Sequence, residues 1–523
     1  MHPCRRLLPA VAAAAVGLFA TAASAHHGRL DPLPGQHGFV GTQHAPYTAP
    51  RGSISGTWTP LTNAFPGTNF PDTALLMTDG TVMMHDGCST DWYRLSPDKT
   101  GSYVNGKWTK TGSMPVGYTP LYFASQVLPD GRVMVNGGEY LDCNEAWTNL
   151  GALYDPASDT WTAVLPPVGW ANIGDAQSVV RSDGSYMLAD CCTSAEAIAS
   201  ISGTTVTWTA TGSGKGDRND EEGWTQLPDQ TIVTVDASRG LNFPTNITER
   251  YSEAAGTWTQ GKNTANRVVD PGSSEVGPAL LLPNGLVFQI GATGHNDVFI
   301  PSKGKWVAAP DMPNIDGQGV TDAADGPAAV LPDGNVLAQV SPGVFNAPSH
   351  FVEVNVKNAK TVTITQVSEP ASAPEQSSYE GRLLVLPTGE VLWSSDVGDV
   401  EIYTPQGSAK KGWLPVITNV AASLSVGSTN NALAGTNLNG LSYGGYYGDD
   451  AQMSTNFPVV RITNKATKHV CYAKTHDHTA MGISTGEVTQ TQFDIPASCE
   501  SGKSTLQVVA SGLASRGTPV TLN

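Results

Sequence analysis

Acidic residues recur at one place in a repeating pattern along this chain. Asp72, Asp175, Glu221-Glu222, Glu275, Asp325 and Glu380 stand in short polar segments, at or next to a position eight residues ahead of a turn marker. Carboxylates gathered at one point raise each other's pKa or hold a cation. His476 and His478 alternate in Lys474-Thr475-His476-Asp477-His478-Thr479, so in extended backbone their imidazoles would share a face. Imidazole with carboxylate suits copper, zinc or manganese, whereas carboxylate alone suits calcium. A plainer role stands beside each of these. The acids could cap backbone amides of a neighbouring repeat, and the histidines could make inter-domain hydrogen bonds. Tyr122 and Tyr379 are either packing residues or acid/base groups. Trp170 and Trp224, beside two of the acidic segments, form either a sugar-stacking platform or buried filler. The chain carries no nucleophile elbow, phosphate loop or His-Glu-x-x-His helix.

The elements that must position these residues are repeats. Turn markers fall at Asp79-Gly80, Asp130-Gly131, Asp183-Gly184, Asp229-Gln230, Asn284-Gly285, Asp333-Gly334 and Thr388-Gly389, spaced 46 to 55 residues apart. About 30 residues after most of them comes a Trp marker, as in Lys107-Trp108-Thr109 or Thr160-Trp161-Thr162. Period, strand length and Trp marker together predict an all-β fold, a seven-bladed β-propeller of four-stranded blades. Thr57-Trp58-Thr59 carries the outer-strand marker before any blade has begun, and the last repeat stops after its third strand, Glu401-Ile402-Tyr403. The N-terminal strand is therefore expected to complete blade seven and close the ring, which leaves no long free edge. The predicted propeller spans residues 51–406, a Gly/Ser/Lys linker covers Gly407–Gly412, and residues 413–523 read as a small β-sandwich.

Residues 1–25 read as a secretory signal, with Arg5 and Arg6, an apolar centre and Ala23-Ser24-Ala25 for cleavage; residues 26–50 read as a flexible leader. The chain is then secreted or periplasmic, with no membrane span. The formal charge is −17, and loss of Arg5 and Arg6 makes it −19. Such a protein is repelled by nucleic acid, and a monomer is expected. Export leaves six of the seven cysteines in an oxidising compartment: Cys88, Cys143, Cys191, Cys192, Cys471 and Cys499. Cys88 and Cys143 occupy comparable places in consecutive repeats, and Cys471 and Cys499 would staple the C-terminal domain. The adjacent Cys191 and Cys192 could pair with each other or stay as thiols.

Signal, seven kelch-like repeats closed by an N-terminal strand, and a C-terminal sandwich together resemble the galactose oxidase family of secreted copper-radical oxidases. Gly440-Leu441-Ser442-Tyr443, Tyr447-Gly448-Asp449-Asp450 and Thr455-Asn456-Phe457-Pro458 look closest to its bacterial kelch-type relatives. The resemblance implies an immunoglobulin-like C-terminal domain and a copper site built from a Cys–Tyr cross-link, a Tyr-His pair and one His from a C-terminal loop. Residue by residue, Tyr379 matches the tyrosine of the pair, and His476 or His478 offers the C-terminal imidazole. Glu380, Tyr122 and Asp175 stand where the family has His, Cys and the cross-linked Tyr. Without the Cys–Tyr pair no thioether radical cofactor can form, and fold alone does not carry the activity.

Two functions follow as expectations. In the first, the propeller mouth binds an extracellular carbohydrate or other small ligand, with Tyr122, Trp170 and Trp224 as contact residues. In the second, one copper or other divalent ion is held by Tyr379, Glu380, His476 and His478. Asp175 or Glu222 then serves as general base beside Tyr379 and Glu380, for a non-radical oxidation or a hydrolysis.

Overall fold

A computed structural model of the chain describes residues 56–238, 246–443, 446–447 and 456–523. The signal and leader assigned to residues 1–50 lie outside the described residues. Among those described, the chain is all β-strand with a few 3-10 turns. No helix is long and apolar enough to cross a membrane.

Seven antiparallel sheets follow one another along the chain, six of four strands and one, in blade 6, with a fifth strand added. Blade 1 is built from Pro71–Leu76, Val82–Asp86, Trp92–Ser96 and Lys107–Lys110. Blades 2 to 6 repeat that order, with inner strands beginning at Ala124, Ser178, Thr225, Ala279 and Pro327. Blade 7 takes Gly381–Val385, Val391–Ser395 and Val400–Thr404 from its own repeat and Thr57–Pro60 as outer strand. Inner strands of neighbouring blades touch around the ring, blade 7 against blade 1. The fold is a kelch-type β-propeller.

The closure is secured by an aromatic cluster. Trp58 pairs in register with Tyr403, and its ring lies 4.7 Å from Phe351, 5.9 Å from Trp393 and 4.8 Å from Tyr403. Its indole N–H donates to the Ser368 carbonyl at 2.7 Å. A strand from one terminus thus seals the sheet of the other, and closing the ring removes the free edges. The Asp-Gly markers form tight turns between first and second strands. In blade 1, Gly80 N–H donates to Met77 O at 2.9 Å and takes φ +76°, which disfavours any residue with a Cβ.

Residues from Val416 onward form nine strands around a separate apolar core that includes Leu433, Val460, Phe493, Leu506 and Val520. The Cys471–Cys499 disulfide is part of that core. This unit docks on the turn end of the blades. Thr475 N–H donates to Thr78 O at 3.2 Å, Met481 N–H to Ser182 O at 2.9 Å, and Val470 N–H to Lys99 O at 2.9 Å. At Gly80 an added Cβ would come 2.6 Å from the Tyr472 ring. The segments that lead into the inner strands lie at the other end of the ring and form its mouth.

One segment of the C-terminal unit climbs the ring. Tyr443 bridges to Leu281, at the turn end of the blade 5 inner strand, and Tyr446–Tyr447 pairs with Pro327 and Ala328, at the mouth end of blade 6. It is this stretch, and not the loop with His476 and His478, that runs alongside the inner strands.

Candidate functional site at the propeller mouth

The lead-in segments of blades 2 to 7 make a rim, linked by the following contacts. Between blades 2 and 3, Gly138 N–H donates to Gly174 O at 2.6 Å, and Glu139 N–H to Tyr122 O at 3.1 Å. From blade 3 to blade 4, carboxylate oxygens of Asp175, Asp220 and Glu221 lie within 4.8 Å of one another. Across blades 4, 5 and 6 the same holds for Glu221, Glu275 and Asp325. Blade 6 meets blade 7 where Gly326 faces Ser378, and blade 7 meets blade 2 where the Tyr379 and Tyr122 rings stand 6.3 Å apart. Five lead-ins use left-handed backbone: Tyr122 (φ +51°), Gly174 (+65°), Glu221 (+61°), Ser274 (+76°) and Asp325 (+49°). Four of these carry a side chain, at a cost the surrounding packing must offset.

One arc of the rim is aromatic. Tyr140, Tyr122, Tyr379 and Phe345 are all half-buried. Their ring centres follow one another at 5.8, 6.3 and 5.0 Å. Tyr140 comes from a hairpin added to blade 2, in which Tyr140–Leu141 pairs with Pro120–Leu121 and with Asn144–Glu145. The Cys88–Cys143 disulfide fastens that hairpin to blade 1. The bridge packs in a small apolar cluster with Phe70 and Leu121, against which Tyr122 and Tyr140 lie.

Beneath this arc the acids are compensated. Arg382 is 1% exposed; its guanidinium ion-pairs with Asp72, donates to Tyr379 O at 2.9 Å and lies 5.6 Å from the Tyr122 ring centre. His85 Nδ1 is 3.2 Å from the other Asp72 oxygen, and its Nε2 is 2.9 Å from Ser89 O. Burial works against the Asp72 charge, but the Arg382 guanidinium and the His85 contact together hold its carboxyl below the ordinary value. Asp396 behaves oppositely. Burial, with the Asp72 and Glu380 charges, outweighs Arg382 and pushes it well up. Glu380 accepts the Ser377 backbone N–H at 2.6 Å, closing a single 3-10 turn.

The residues singled out in the sequence therefore divide. Tyr122 and Tyr379 come together, with Glu380 following Tyr379 in one 3-10 turn, while Asp175 stands with Asp220 and Glu221. His476 and His478 do not. His476 contacts Asp477 at 2.9 Å and Asp494 at 3.1 Å, and His478 Nδ1 contacts Thr491 Oγ1 at 3.0 Å, all within the C-terminal unit. Thr475 is anchored to the blade 1 turn, so the histidines sit a whole inner strand, roughly 15–20 Å, from the mouth. Burial and the neighbouring His476 lower His478 to about 4. The left-handed Asp477 (φ +48°) breaks the strand alternation that would have set both rings on one face. A metal set joining Tyr379 and Glu380 to these imidazoles is not assembled.

Glu222 and Trp224 also turn away from the rim. Glu222 accepts from Lys215 at 2.8 Å and from Thr234 at 3.1 Å inside blade 4, and burial, then the Asp217 charge, pushes its carboxyl well up. Fully buried and enclosed by Lys215 and Thr234, it does not reach the mouth. Sequence reasoning missed Lys215: its ammonium, 1% exposed, pairs with the nearby Asp217 and Glu222 and with Glu249 from a separate strand. Trp224 is fully buried, 5.9 Å from the Trp258 ring, and is filler. Trp170 is half-buried beside blade 3, where its carbonyl accepts from Asn149 at 2.9 Å. Cys191 is buried, and its Sγ lies 2.6 Å from where a Cβ on Gly174 would stand. Cys88–Cys143 and Cys471–Cys499 are bonded, as fits an oxidising compartment.

No family model matches the chain. It is 31% identical over 147 residues to the Kelch-like protein terF of Aspergillus terreus, across 26% of this chain and 30% of that protein. The match thus spans less than a third of the relative's length. Among solved structures, a fungal alcohol oxidase of the AA5 family in complex with copper is 15% identical with a TM-score of 0.43, over 87% of this chain and 85% of that one. A catalytically inactive virginiamycin B lyase from Staphylococcus aureus, bound to quinupristin, is 12% identical with a TM-score of 0.46, over 67% of this chain and 99% of that one. The extracellular domain of a putative one-component system from B. thetaiotaomicron is 11% identical with a TM-score of 0.44, over 90% of this chain and 58% of that one.

Proposed function

We propose that this chain is an exported, monomeric kelch-type propeller that binds an extracellular carbohydrate at its mouth without copper-radical chemistry. Residues 413–523 would act as an immunoglobulin-like support. The observation that carries the reading is the aromatic arc of Tyr140, Tyr122, Tyr379 and Phe345, half-exposed beside a carboxylate rim. Flat aromatic faces take the apolar face of a pyranose ring, and carboxylates accept hydrogen bonds from its hydroxyls. Against radical chemistry stands the residue set: Tyr122, Asp175 and Glu380 occupy the places of Cys, Tyr and His, and both C-terminal histidines lie at the far end of the ring.

A glycan array on the full exported chain tests this, followed by calorimetry on its strongest ligand. Tyr122→Ala and Tyr379→Ala are expected to weaken binding at least tenfold, since each removes a stacking surface. Unchanged affinity in both variants contradicts the reading. Peroxide release from an alcohol by copper-loaded protein would favour the second reading, an oxidoreductase on an altered form of the family's site.

A further inference from the structure

We propose that His350 is a pH-sensitive clasp for the loops that carry Phe345 and Tyr379, closed while its imidazole holds two protons. The ring is 3% exposed, and each of its nitrogens faces a carboxylate from a different loop. Nδ1 lies 3.1 Å from Glu369 Oε2, and Nε2 lies 3.3 Å from Asp316 Oδ2. Residues 309–326 lead into blade 6 and carry Asp316. Residues 341–349 join its second and third strands and carry Phe345, and residues 367–380 lead on to blade 7 with Glu369 and Tyr379. His350 opens the third strand, so one side chain links all three loops at the mouth end.

An ionised carboxylate only accepts hydrogen bonds, so both contacts need an N–H from the ring. Neutral imidazole has one N–H and one lone pair, and only imidazolium donates on both sides. Neither Asp316 nor Glu369 pairs with Lys or Arg among the described residues, so imidazolium is the cation that serves both. Other acids of the packed elements are engaged elsewhere. Asp311 pairs with His295, Asp322 accepts the Ala324 N–H at 3.2 Å, and Glu380 accepts the Ser377 N–H. Glu353, on the same strand as His350, accepts from Tyr403. Loss of one ring proton sets a lone pair against a carboxylate, and that loop is released. Further bonds keep the blade intact: Ser349 Oγ donates to Ala373 O at 2.8 Å, and Asp322 and Ser341 exchange backbone bonds at 2.8 and 2.9 Å. Release therefore loosens a loop behind the Phe345 and Tyr379 rings, which stand 5.0 Å apart. The clasp stands whether or not the aromatic arc takes a carbohydrate.

Hydrogen exchange on the full chain tests it, at about pH 5.5 and about pH 8, which bracket the range where imidazoles change charge. Labelling times are scaled for the intrinsic rate. Protection of residues 313–320 or 367–376 should fall at least threefold at the higher pH. His350→Gln, which offers a single donor group at every pH, should show the weaker protection at both. Asp316→Asn and Glu369→Gln give a neutral ring an amide N–H to accept, so at least one of them should lose the pH step. Equal protection of both segments at the two pH values in the wild type overturns the proposal, as does an undiminished step in His350→Gln. Circular dichroism identifies a His350 variant that fails to fold. The two carboxyl variants then decide, and a full step retained in both contradicts the clasp.

Discussion

Blade 1 and blades 4 to 6 place acids at equivalent positions of the repeat, and the ring treats them in opposite ways. Asp72 in blade 1 is fully buried and receives a tethered cation, Arg382, from blade 7. Glu221, Glu275 and Asp325 meet carboxylate with carboxylate. The first arrangement is a structural joint between the last and first blades, where the ring must close. The second lies away from the closure seam, with Glu275 and Asp325 buried. The repeat supplies the carboxylate, and the neighbouring blade supplies what it meets.

The comparison can be broken most severely at the joint. Arg382→Met leaves Asp72 buried without its counter-charge, and denaturant unfolding should show a loss of about 3–5 kcal/mol. Glu275→Gln, which keeps the shape of the side chain beside Glu221 and Asp325, should cost about 1 kcal/mol or less. Equal, large losses in both would mean that the acidic arc is a structural joint too.

A smaller effect comes from pH. Burial first of all raises Glu196 to about 8, Asp322 and Glu401 to about 7, and Asp297 to about 6. In the unfolded chain these carboxyls ionise near the usual 4 to 4.5. Between that range and their folded values the native state holds more protons than the unfolded state, so stability falls as pH rises. His478, lowered to about 4, acts in the opposite sense, adding stability between about 4 and 6.5 and none beyond. Above pH 6.5 only the acids count, and the melting temperature should decline from pH 6.5 to 8.5. A rising or flat profile over that window would show that these carboxyls are not held protonated.

The ring was legible because its signals are local and repeated. Turn dipeptides, Trp-centred outer strands and the orphan Thr57-Trp58-Thr59 each specify a strand's place without knowledge of the others. The site was legible only in part. Counting back from the turns found Tyr122, Tyr379 and the acids, since a propeller sends that position to one mouth. It could not separate Glu221 from Glu222: one left-handed residue sends the first to the rim, and the next turns inward to Lys215. Likewise, family resemblance pointed to an imidazole loop entering the ring, but it is Tyr443 and Tyr446–Tyr447 whose backbone pairs with the inner strands. Depth along the axis is set by which strand pairs with which, and that pairing has no local sequence mark.

The most direct test of the mouth as the functional face is hydrogen exchange on the full chain, with and without its strongest array ligand. Protection is expected at residues 120–123, 138–147 and 377–381, with no change at 474–481 on the turn end. Protection confined to 474–481 would place the binding face at the opposite end of the ring and contradict the account.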